Sequence, residues 1–104
     1  GVAVGIAKTW IREAILDGEI PNEHDAAFDH LMEIKDEALR RGELFEAMQR
    51  RLAGPENRAL GAIKEVVFED SDLPDDRDAA LEYLEGVKDE VLTDDVKDTA
   101  ERDA

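Results

Sequence analysis

His30 and Glu33 stand three residues apart in a stretch of helical periodicity, the offset at which an imidazole and a carboxylate on one helix face can share a divalent cation. Asp29 and Glu37 are near in sequence, but a carboxylate-bridged metal bundle draws on Glu-x-x-His pairs and further inward glutamates from several helices. The order here is His-x-x-Glu, and His24, six residues from His30, falls on a different face. Glu69, Asp70, Asp72, Asp75, Asp76 and Asp78 offer hard oxygen ligands in one short run. A calcium loop opened at Asp70 would require Gly at its sixth place and Glu at its twelfth, where this chain has Asp75 and Leu81. There is no cysteine, Ser71 is the only serine, and no glycine-rich phosphate loop is present. His30 and Glu33 are thus the weak metal candidates, no cofactor is expected, and a metal-dependent helical enzyme is the last of three functional readings.

The stronger chemical signal is cationic. Residues 40–58 hold Arg40, Arg41, Arg50, Arg51 and Arg58 against Glu43, Glu46 and Glu56, a local charge of +2 in a chain of −15. Guanidinium groups bind carboxylates and phosphates through paired hydrogen bonds, so this stretch is a candidate contact surface. Trp10, the only tryptophan, is the candidate partner-facing apolar anchor. Arg40, Arg41, Arg50, Arg51 and Trp10 are therefore the predicted partner-binding residues. The first reading is a non-catalytic protein-interaction or regulatory module, with a protein partner or self-association. The second is association with nucleic acid through the same arginines. Phosphate contacts weaken steeply with salt, which counts against it in the setting the composition suggests.

That setting follows from charge. Acids outnumber bases 28 to 13, with Asp and Glu equal at fourteen each, and Lys (five) is scarcer than Arg (eight). Self-repulsion of this size opposes the compact state at ordinary ionic strength. At 1 M salt the Debye length shrinks to about 3 Å and the repulsion largely disappears. The chain reads as adapted to a cytoplasm rich in salt. No run of 18 apolar residues suggests a membrane span, and residues 1–7 lack the basic leader of a signal peptide. The absence of a starting Met suggests trimming or excision from something longer.

An internal repeat sets the expected architecture. Residues 7–18 align with 59–70 and residues 19–39 with 72–92, with Ser71 as the one insertion, and twelve of 33 positions are identical. Each copy reads as helix, turn, helix. Gly18 suits the left-handed position that closes a helix, and Pro21 cannot continue one. Asn22 and Asp75 are the expected caps of the following helices, with Asp25 and Asp78 three residues on. Ala27, Leu31, Ile34 and Ala38 share one helix face, as do Ala80, Leu84, Val87 and Val91, while Asp78, Glu82, Glu85 and Asp89 form the opposite, solvated face of the second copy. Leu44, Phe45, Met48 and Leu52 predict a short linking helix bounded by Gly42 and Gly54.

The segment Ile11 to Pro21, IREAILDGEIP, resembles the opening of the winged-helix DNA-binding domains of GntR-type regulators. The resemblance covers eleven residues, and the chain beyond it offers no basic recognition helix. The expected fold is all-α, a single domain with a four-helix core made of two duplicated hairpins related by pseudo-two-fold symmetry. Hairpin one spans 5–41, the linking helix 43–53 and hairpin two 55–92, with a frayed acidic tail at 93–104.

Overall fold

A computed structural model describes the backbone of residues 1–103 and the side chains of residues 1–93. Among the described residues every regular element is helical: α1 (Val2–Leu16), α2 (His24–Arg51), a 3₁₀ helix (Gly54–Ala59), α3 (Leu60–Glu69) and α4 (Arg77–Asp103). Among the described residues no helix is long and apolar enough to cross a membrane. The chain divides into two compact units, Gly1–Glu43 and Leu44–Ala104.

Unit 1 is α1, a turn and the first part of α2. Gly18 takes φ +77°, and its amide donates to the Ile15 carbonyl at 3.1 Å while that of Glu19 reaches Ala14 at 2.9 Å. These are the two bonds of a Schellman closure, and they satisfy carbonyls that the end of α1 would otherwise leave open. The helix boundary after the turn is one residue later than the Asn22 cap expected: Ala27 N–H donates to the Glu23 carbonyl, so Glu23 holds the capping position. Ile6, Ala7, Ala14, Ala38 and Arg41 are buried.

The segment expected as a separate linking helix, 43–53, is continuous with α2, which passes through Gly42 without a break. The reason lies in α1. A Cβ at position 42 would meet the Ala3 backbone nitrogen at 2.9 Å and its Cα at 3.0 Å. Glycine is here because another helix's backbone approaches closely, not because a helix ends. Leu44, Phe45, Met48 and Leu52 beyond it are buried, as the periodicity required.

Unit 2 comprises the end of α2, the 3₁₀ helix, α3 and α4, the last three packed on one another. Pro55 sits in the first turn of the 3₁₀ helix, where its missing N–H costs nothing, and Ala53 N–H donates to Glu56 Oε1 at 3.3 Å. Ile63, Val67, Leu73, Ala80, Leu81 and Leu84 form the buried set of α3, the second turn and α4. The cap of α4 is Asp76 rather than Asp75, its Oδ2 accepting from Ala79 N–H at 3.0 Å.

The two turns, 17–23 and 70–76, have the same length, and the helices after them start at the aligned residues His24 and Arg77. Their closures differ. Asp70, at the place of Gly18, leaves α3 in an extended conformation (φ −82°, ψ 111°). Its carboxylate accepts from Asp72 N–H at 2.8 Å and from the Tyr83 hydroxyl at 2.6 Å. An aspartate side chain thus ties this turn where a left-handed glycine ties the other. Of the tail expected to fray, 93–104, the side chains after Thr93 lie outside the described residues.

Candidate functional site

Arg40 and Arg41 converge on one carboxylate. Arg40 donates through Nε to Glu37 Oε2 at 3.0 Å and through Nη2 to Oε1 at 2.6 Å, a paired fork. Arg41 Nε donates to the same Oε1 at 2.8 Å. These are the i,i+3 and i,i+4 spacings of one helix face. The Arg40 guanidinium, with Arg41 in support, holds the Glu37 carboxyl at about 2 against an ordinary 4.5, even though partial burial pushes the other way. Arg41 is itself buried, and its guanidinium carbon lies 5.6 Å from the centre of the Trp10 ring. A guanidinium over an indole face is a favourable cation–π contact. Three of the five predicted contact residues, Arg40, Arg41 and Trp10, are therefore gathered into one intramolecular cluster with Glu37.

Arg50 and Arg51, in unit 2, are both exposed. Arg51 Nη1 lies 3.6 Å from Glu85 Oε1. Glu85 also holds Lys88, whose Nζ is 2.8 Å from Glu85, 3.5 Å from Glu56 and 3.6 Å from Asp89. The Glu85 hydrogen bond, with the neighbouring carboxylates, raises the Lys88 pKa despite the cost of burying the ammonium. Lys88 thereby links the 3₁₀ helix to α4. His30 Nδ1 and Glu33 Oε2 are 3.7 Å apart, with the imidazole largely covered and the carboxylate exposed. Among the described residues no group of three or more His, Cys, Asp or Glu side chains is arranged to hold a metal ion.

The feature that the arginine signal overshadowed is apolar. Six large hydrophobic side chains are exposed among the described residues, and five of them lie in unit 1: Val4, Leu16, Phe28, Met32 and Leu39. On α2, Phe28, Met32 and Leu39 fall within about 40° of each other around the helix axis. Asp25, Asp29 and Asp36, all exposed, border that stripe on its solvent side. On α1, Val4, Ile11, Ile15 and Leu16 share a face with the cations Lys8 and Arg12. There the residues Lys8, Ile11, Arg12, Ile15, Leu16 and Asn22 line an open concavity of about 400 Å³.

Aligned positions make the exposure sharper. Leu81 in unit 2 is 2% exposed, whereas Phe28, which aligns with it, is 54% exposed. The signal was available in sequence: positions 28, 32 and 39 are apolar off the core face, and position 32 aligns with Glu85. No protein-family model, no curated protein and no solved structure matches this chain.

Proposed function

We propose that this chain is a non-catalytic helical interaction module that docks a protein surface through the outer faces of α1 and α2. One observation carries the reading: exposed large hydrophobics gather on unit 1, at positions such as 28 whose aligned counterpart is covered in unit 2. Scattered exposed leucines are ordinary on any protein, but a grouped apolar face with a charged border is the surface of a docking site. Arg40, Arg41 and Trp10 contribute to this module from within: the Glu37 cluster fixes α2, and with it the stripe one turn away. Two of the arginines that would have met phosphate are engaged by Glu37, which favours a protein partner over nucleic acid.

Equal turn lengths and aligned helix starts support an origin by duplication of one hairpin. The acidic balance supports life in a salt-rich cytoplasm. The test is a photo-crosslinking amino acid, p-benzoylphenylalanine, placed at Phe28 and, as a control, at Glu82 on the acidic face of α4. Irradiation in cells gives adducts of discrete mass from position 28 and none from position 82. Absence of any adduct at position 28 overturns the proposal.

A further inference from the structure

We infer that the occupant of this face is a second copy of the chain, with α1 of each protomer lying antiparallel against α2 of the other. This rests on the interaction reading above and specifies its partner. The argument begins with charge. α1 carries Lys8 and Arg12 against the single acid Glu13, so it is locally cationic in a chain of −15. The α2 stripe is bordered on its solvent side by Asp25, Asp29 and Asp36 and on its other edge by Lys35 alone, so its margin is net acidic. One unit therefore holds both halves of a complementary pair, as a surface that docks onto its own copy requires.

Length and register agree. The α1 face from Val4 to Leu16 and the α2 face from Phe28 to Leu39 extend about 18 Å and about 16 Å at 1.5 Å per residue. Run antiparallel, they place Val4 opposite Leu39, Ile11 opposite Met32, and Leu16 opposite Phe28. The same register puts Lys8 opposite Asp36. Residue numbers in these four pairs sum to 43 or 44, as one unslipped antiparallel alignment demands. A two-fold axis parallel to the helices repeats every contact, which gives a bundle of four helices from two hairpins. The full charge of two chains opposes this assembly, so added salt strengthens it, through screening and through firmer burial of the apolar stripe. A basic foreign partner would show the opposite dependence.

The experiment is sedimentation equilibrium of the full chain in KCl from about 0.1 M to about 2 M, a span over which the Debye length falls below the spacing of neighbouring surface charges. The expected result is a shift from the 11.6 kDa monomer to twice that mass as salt rises. Phe28→Glu with Leu39→Glu abolishes the dimer at every salt while helicity by circular dichroism is unchanged. At a fixed intermediate salt, Lys8→Asp and Asp36→Lys each weaken dimerisation by about tenfold, the size expected for charge reversal at two symmetric exposed pairs. Mixing these two variants, or combining both changes in one chain, restores it. A chain that stays monomeric throughout, or a dimer indifferent to both sets of substitutions, overturns the inference. The crosslink separates the two proposals. An adduct of doubled mass supports self-docking, and one of another mass removes self-docking but keeps the interaction module. No adduct removes both.

Discussion

Glu37 organises its part of the molecule because two guanidinium groups favour its ionised form over the protonated one. Its folded pKa is depressed, so the stabilisation is complete above about 4.5 and is lost as pH falls toward about 2. Glu37→Gln is expected to unfold at lower temperature than the native chain at neutral pH, with the difference closing across that window in a pH series of thermal melts. The side chain of Glu37 is 40% exposed, so solvent screening keeps the deficit modest. Tyr83 shows the reverse sign. Its hydroxyl donates to Asp70, which raises its pKa above the ordinary 10.0. The contribution is full below 10.0 and disappears as pH rises through the higher folded value. Since Tyr83 is the only tyrosine, an ultraviolet titration reads it directly. Asp70→Asn is expected to bring the midpoint back toward 10.0.

Among the elements, two glycines of the same helical type answer to opposite rules. Gly42 lies against the Ala3 backbone, and a methyl group there forces α1 and α2 apart. Gly42→Ala is expected to cost about 1–3 kcal/mol by overpacking, in spite of alanine's better helix propensity. Gly86, in α4, has open space around its missing Cβ, so Gly86→Ala is expected to stabilise by about 0.5–1 kcal/mol. Denaturant melts of the two variants test the pair of signs. This contrast also marks what a reader of the sequence can recover. Each second helix starts one residue later than its expected cap requires, whereas helical content and the Gly18 closure follow from local periodicity and turn chemistry and are legible. Continuity through Gly42 is not, because the reason for that glycine sits on another helix at Ala3. The Glu37–Arg41 pair is legible from spacing, whereas the place of Trp10 above Arg41 depends on how α1 meets α2. Phe28 aligns with Leu81, yet one is exposed and the other covered. Residue type alone carries no information about that difference.

For the whole molecule, net charge governs the response to solvent. With 28 acids against 13 bases, raising KCl from about 0.1 M to about 1 M is expected to raise the thermal midpoint, since screening relieves more repulsion than it removes attraction at Glu37 and Lys88. Changing the exposed Asp78, Glu82 and Asp89 of α4 to their amides is expected to flatten that dependence without loss of helix. Differential scanning calorimetry at several salts distinguishes this from a chain whose stability is indifferent to charge.

The placement of two aromatic residues equips the chain with its own instrumentation. Its sole tryptophan, Trp10, belongs to unit 1 under the Arg41 guanidinium, and its sole tyrosine, Tyr83, belongs to unit 2 against Asp70. Intrinsic emission from the indole therefore follows one half of the polypeptide and phenol absorbance the other, with no label attached. Coincident unfolding curves from the two chromophores would mean that the halves stand and fall as one cooperative body. Separated curves would assign a stability to each.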